Sequence, residues 1–252
     1  MRRGERCGPA LLSAALLLAS CSEGVRTGSH RQLVVFAASS LTQAFTELGV
    51  LFEKDLADTA VRFQFAGSSQ LVRDLANGAP ADVLATADEE TMDRAVEGGD
   101  VLAATTAFAR NRLAIAVEPR NPKSIRGLSD LARRDVTIVL CAPVVPCGKA
   151  AKSALSKAGV AVVPRSYEEN VKAVVAKVGL GEADAGIVFA TDVLVPGSRV
   201  DGVAIADEDN IVTTCLAGAV TGSSQPTMAA EFVAFLGSGA AQAVLARYGF
   251  LP

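Results

Sequence analysis

Leu33-Val34-Val35-Phe36-Ala37-Ala38-Ser39-Ser40-Leu41-Thr42-Gln43-Ala44-Phe45 passes from one periodicity into another within thirteen residues. Leu33 to Ala37 is a continuous apolar run of the kind found in a buried strand. From Leu41 onward the apolar residues recur at helical spacing: Leu41, Ala44, Phe45, Leu48, Leu51 and Phe52. Between them lie only small residues and two serines. Strand, tight turn and amphipathic helix form the repeating unit of an α/β fold.

The unit recurs along the chain. Val61, Phe63 and Phe65 alternate as one face of a strand, and Leu71, Val72, Leu75 and Ala76 follow at helical spacing up to Asn77-Gly78, a helix stop signal. Ala81 to Ala85, Leu113 to Val117, Val136 to Leu140 and Ala185 to Phe189 read as further buried strands. Helices are expected over about 150–158 and 169–178. Pro226 to Phe250 reads as mostly helical, with a turn at Gly237 to Gly239. The alternation predicts an α/β fold with mainly parallel sheets.

The N-terminus addresses the compartment. Arg2, Arg3 and Arg6 make a basic start, and Pro9 to Ala19 is apolar apart from Ser13. The order of charge, apolar core and small residues is that of a signal peptide over residues 1–20. About eleven apolar residues are too few for a permanent span, which needs roughly 20. Leu18-Ala19-Ser20-Cys21 resembles a bacterial lipobox, which implies lipidation of Cys21 and an extracytoplasmic protein anchored to the cell membrane. Residues 21–30 are small and polar and read as a flexible tether. His30, at its end, is the sole histidine of the chain. Ser-His or Cys-His catalysis would have to recruit it from that tether, which argues against an enzyme.

Removing residues 1–20 takes away three arginines and one glutamate and moves the formal charge from −3 to −5. A negative body argues against nucleic acid as a partner. Local dipoles can still hold an anion. Cys141, Cys147 and Cys215 remain after the signal and anchor. Three cysteines allow at most one internal disulfide, and their order does not choose the pair. With no CxxC and no histidine cluster, no protein-ligated metal is expected.

Four stretches share one design, an irregular turn leading into a helix. They are Ala37 to Gln43, Phe65 to Leu71, Pro143 to Lys149 and Ser166 to Val171. Ser40 with Gln43, and Ser166 with Glu169, have the spacing of a capping box. Each turn also offers free backbone N–H groups at the positive end of a helix. Read singly, each is a helix cap. If they converged, they would make an anion site without a cation.

The chain resembles the periplasmic molybdate-binding proteins of ABC importers. The resemblance rests on Val35 to Thr42, Phe65 to Leu71, Gly78 to Val83, Val145 to Gly148, Glu169 to Val171, Gly186 to Asp192 and Arg247 to Phe250, in that order. It implies a two-lobed periplasmic-binding-protein fold (type II), with crossing strands and the ligand in the cleft. Lobe I would be residues 31–111 plus 219–252, and lobe II residues 112–218. It implies oxyanion contacts from Ser40 and Ser68, through hydroxyl and backbone N–H, and from the N–H groups of Cys147 and Val171. Ser39 and Phe189 would stand just behind them. Molybdenum would enter only as the oxyanion, molybdate or tungstate, with no cofactor. The expected partners are an ABC permease with its cytoplasmic ATPase, engaged by a monomer.

Two positions depart from the pattern. Cys147 stands where the family usually has alanine; a backbone contact tolerates this, and a disulfide from Cys147 to Cys141 or Cys215 would brace the loop. Phe189 stands where the family often has tyrosine. The missing hydroxyl removes a charge-assisted hydrogen bond of about 1.5–3 kcal/mol, with Tyr167 as a candidate replacement. That substitution keeps a second reading open, the same fold serving sulfate or a small organic anion.

Overall fold

The computed structural model describes residues 31–54, 56, 58–195 and 199–252. The expected signal peptide, the tether, Cys21 and His30 lie outside the described residues.

Strand β1 (Arg31–Ala38) carries the opening apolar run and lies between two parallel neighbours, β2 (Thr59–Ala66) and β3 (Val83–Thr86). Being covered on both faces, it is apolar at almost every position rather than alternating. β3 pairs antiparallel with β9 (Val212–Ala219), and β9 pairs antiparallel with the first half of β4 (Thr106–Val117). At Leu113 β4 changes partners. Leu113 to Val117 pairs with β7 (Ala185–Phe189) on one side, and Ala114 to Val117 with β8 (Asp201–Ala204) on the other. β7 continues in parallel to β5 (Ile138–Cys141), and β5 to β6 (Ser166–Glu168). The path β2-β1-β3-β9-β4-β7-β5-β6 thus has two mainly parallel wings. They are joined through the antiparallel pair β4–β9.

The helices follow their strands: α1 (Thr42–Lys54), α2 (Ser68–Ala76), α3 (Glu89–Glu97), α4 (Pro146–Lys157), α5 (Val171–Gly179), α6 (Ala190–Val193), α7 (Pro226–Leu236) and α8 (Gly239–Arg247). The C-terminal pair returns to the first wing. Phe232 of α7 packs edge-on against Phe52 of α1 at 5.1 Å between ring centroids, and against Phe45 at 6.1 Å. Buried Asp82 fastens the same junction. Its carboxylate accepts from the Val34 N–H at 2.8 Å, the Ser223 hydroxyl at 2.7 Å and the Gln225 N–H at 3.2 Å. A buried carboxylate so supplied with donors has its desolvation offset.

The α/β expectation holds, with local corrections. The strand expected at Leu113 begins at Thr106; its first half mixes exposed and buried positions, so no uniformly apolar run marked it. The Ser166–Glu169 capping box does not form. Ser166 to Glu168 is a strand, the helix begins at Val171, and the Asn170 side chain accepts from the Ala173 N–H at 3.1 Å. Glu168 turns to Lys177 instead, at 2.6 Å. The Ser40–Gln43 box also fails: the short 3-10 turn Ser39–Leu41 has no side-chain cap.

Candidate functional site

The carboxyl ends of β1, β2, β5, β6 and β7 all face one region, and each leads into a helical start. In open α/β sheets this is where ligands bind, because the turns there leave backbone donors free. One cavity lies at the meeting point. Ser39, Ser40, Ser68, Cys147, Val171 and Phe189, all six residues singled out in the sequence, line it. Ala38, Gly67, Ala87, Val145, Pro146 and Asn170 complete the wall. Five of these lie in the four turns marked in the sequence without being given a role, and Ala87 lies outside them; most have no chemistry of their own and belong to the site by position.

Each polar group has a local reason to point inward. α2 starts at Ser68, with Gly67 as its N-cap and no side-chain cap bond. The Ser68 hydroxyl oxygen instead accepts from the Ala87 N–H at 3.1 Å. Its one proton is therefore left to donate elsewhere. Ser40 Oγ is buried and has no hydrogen-bond partner among the described residues. A buried hydroxyl without a partner costs about 1–3 kcal/mol, so its presence calls for an explanation. Cys147 follows Pro146 in the first turn of α4, and Val171 is the first residue of α5; their N–H groups precede any intrahelical acceptor. The starts of three helices, α2, α4 and α5, bring their positive ends to one point.

Among the described residues no charged one lines the cavity, and Asn170 has its side-chain oxygen occupied as a cap. The wall therefore offers donors and apolar surface. Phe189 is fully buried and adds only a ring face. Tyr167, the candidate replacement for a missing tyrosine hydroxyl, is exposed and stands apart from the cavity. The free space at the cavity's centre is about that of one water molecule, so the cavity is small.

The two wings touch around this cavity. The Ser69 hydroxyl donates to the Val144 carbonyl at 2.7 Å, and Lys172 Nζ donates to Gln43 Oε1 at 2.9 Å. Lys149 Nζ, from α4, reaches Glu90 at 2.9 Å and Asp88 at 3.4 Å, at the start of α3. The Lys149 hydrogen bond holds the Glu90 carboxyl below its ordinary value. Lys172 also lies 2.8 Å from the fully buried Asp192, close but not aligned as a hydrogen bond. Burial pushes the Asp192 carboxyl up, against the pull of Lys172. Gly67 is pressed so near the second wing that a Cβ there would lie 2.6 Å from the Glu169 carbonyl oxygen. None of these bridging contacts was legible in the sequence, where Lys149 and Lys172 look like ordinary surface charges.

Of the three remaining cysteines, Cys141 and Cys147 form a disulfide at a Cα separation of 5.8 Å. Cys215 is free and buried, and burial, with the charge of Asp88, pushes its thiol up to about 12.

Two α/β wings bridged by paired strands and pressed together over a small donor-lined cavity define a solute-binding protein. The chain belongs to the bacterial extracellular solute-binding protein family, whose model matches residues 33–251. It is 38% identical over 224 residues to the molybdate-binding protein ModA of Mycobacterium tuberculosis, covering 89% of this chain and 86% of that one. The periplasmic molybdate-binding protein of Azotobacter vinelandii superposes with a TM-score of 0.77 at 19% identity, covering 87% of this chain and 99% of that one. The sulfate-binding protein SubI of Mycobacterium tuberculosis superposes with a TM-score of 0.75 at 20% identity, covering 88% and 87%.

Proposed function

We propose that this chain captures molybdate or tungstate outside the cytoplasm and delivers it to an ABC permease. The observation that carries the reading is the unpartnered Ser40 hydroxyl in a cavity that holds donors and no charge. In the closed state the anion takes hydrogen bonds from Ser40 and Ser68 on one wing, and from the Cys147 and Val171 N–H groups on the other. We divide the wings into lobe I, residues 31–111 with 219–252, and lobe II, residues 112–218; the first cut lies beside Leu113, where β4 changes partners, and the second lies in β9, which also pairs with β3.

The charge state of the ligand favours this assignment. Molybdate is a bare dianion near neutral pH, and a wall of donors complements it. Phosphate carries a proton there and is best matched by a strong acceptor such as a carboxylate, and no carboxylate lines this cavity among the described residues. Fixed dipoles in a dry cavity hold charge without reorganising, and α2, α4 and α5 aim theirs at one point. Because the donors are divided between the lobes, the anion favours the closed over the open form by its differential contacts. Closure then presents both lobes together to the permease. A relative 38% identical over 224 residues is a molybdate-binding protein, which supports the same ligand. Lipidation at Cys21 would keep the receptor at the membrane as a monomer, with no cofactor and no catalysis.

A second reading, sulfate on the same donors, draws on Phe189, which supplies no hydroxyl where the family often has a tyrosine. Competition calorimetry separates the two. On the molybdate reading, molybdate and tungstate bind at least about tenfold tighter than sulfate; tighter sulfate binding would transfer the assignment.

A further inference from the structure

Of the four turns around the cavity, one is closed by a covalent bond. Cys141 ends β5 and Cys147 is the second residue of α4, so their disulfide ties the strand end to the helix start across Ala142 to Pro146. Much of what lobe II contributes at α4 rides on that ring. Cys147 carries the N–H assigned to the anion. Val145 and Pro146 line the cavity, and the Val144 carbonyl receives the Ser69 hydroxyl from lobe I.

Besides the disulfide, hydrogen bonds hold the ring; the Gly148 and Lys149 N–H groups both donate to the Val145 carbonyl at 3.0 Å. The Ala142 N–H donates to the Glu168 carbonyl at 2.8 Å and the Val145 N–H to the Ala142 carbonyl at 3.1 Å. Pro143 and Pro146 have no N–H to give. The fold of the segment is nevertheless very tight: a Cβ on Gly148 would lie 1.9 Å from the Ala142 carbonyl oxygen. A hydrogen-bond donor to an anion works only if it is held near its final place, since ordering it during binding subtracts from affinity.

We propose that the Cys141–Cys147 disulfide is a positioning element of the binding site, and that its redox state sets the affinity for the oxyanion. The proposal rests on the molybdate reading of the cavity. Reduction adds two electrons and two protons, breaks the S–S bond and leaves two thiols. Dithiothreitol supplies both and ends as its own cyclic disulfide. Cys215 does not complicate the reaction, because it is buried and poorly ionised.

The test compares three forms by molybdate calorimetry: oxidised protein, protein reduced with dithiothreitol, and the double variant Cys141→Ser with Cys147→Ser. Circular dichroism checks that each is folded. The oxidised form is expected to bind, and the reduced form and the variant to bind about tenfold more weakly. Reoxidation should restore the reduced protein, while the variant ignores dithiothreitol. Breaking a disulfide that merely stabilised the fold would lower the ligand-free melting temperature and leave the affinity of the folded protein unchanged. Equal affinity in folded oxidised and reduced protein would overturn the proposal. Should the variant not fold, the reduced wild-type protein decides alone. If the oxidised protein binds no molybdate, the reading of the cavity fails first, and that result is distinct from equal binding by both redox forms.

Discussion

Replacing Ser40 by alanine removes a hydroxyl that has no hydrogen-bond partner among the described residues and sits buried against the cavity. Without an anion the closed form buries that hydroxyl unpaired, while the open form leaves it to water. Its loss should leave stability unchanged or raise it by up to about 1 kcal/mol, a melting shift of roughly 0 to +4 °C for a chain of this size. In the complex it makes a charge-assisted bond of about 1.5–3 kcal/mol, so Kd should rise about ten- to 150-fold. Ser68→Ala provides the contrast. It removes a similar bond to the anion but also strips the acceptor from the buried Ala87 N–H. Ligand-free stability should then fall by about 1–3 kcal/mol. Calorimetry for affinity and thermal melting without ligand measure the two effects separately. If Ser40→Ala lowers ligand-free stability as Ser68→Ala does, and binds molybdate normally, Ser40 is structural and the site is misassigned.

Three further outcomes follow from the same geometry. Gly67→Ala should fold normally, because Gly67 has an ordinary extended backbone (φ −62°), but its Cβ would press on the Glu169 carbonyl across the cleft. Overpacking of about 1–3 kcal/mol in the closed form alone should raise Kd some five- to 150-fold, with an unchanged ligand-free melt; normal affinity would show that the lobes close differently. Phe189→Tyr should restore a donor at the wall and tighten molybdate binding about tenfold, read by calorimetry; weaker binding would mean the hydroxyl has no room. Burial pulls the Glu168 carboxyl upward, but hydrogen bonds from Lys177 and then Ser166 outweigh it and hold the group below its ordinary 4.5. A carboxylate with a lowered folded value gives stability above pH 4.5 and loses it as pH falls through the folded value. Melting curves should therefore show a smaller acid loss below pH 4.5 in Glu168→Gln than in the wild type, and an identical loss would remove Glu168 from the account.

Much of the fold was legible because its signals are local. The apolar run Leu33 to Ala37, the helical spacing from Leu41 to Phe52 and the block Ala185 to Phe189 each correspond to an observed element. What stayed hidden is non-local. Thr106 to Arg112 is a strand because β9 lies beside it, more than a hundred residues later in the chain. Ser40 and Gln43 satisfy the spacing of a capping box, yet tertiary contacts prevail: Gln43 accepts from Lys172 across the cleft, and Ser40 keeps its hydroxyl unspent. Ser166 and Glu169 fail for the opposite reason, since pairing with β5 makes Ser166 to Glu168 a strand. The candidate site was legible as four separate turns. Their convergence is a property of strand order, which no single turn encodes. The cysteine pair likewise needed the fold, because Cys215 lies on β9, across the joint from the cavity loop.

The central claim is that a wall of neutral donors, split between two lobes, selects a bare tetrahedral dianion. Titrating the ligand-free, oxidised mature chain by calorimetry near neutral pH with molybdate, tungstate, sulfate and phosphate tests it most directly. Molybdate and tungstate should bind one-to-one, sulfate more weakly and phosphate not measurably. A protein that gives neither heat nor thermal shift with molybdate, or that prefers phosphate, would contradict it.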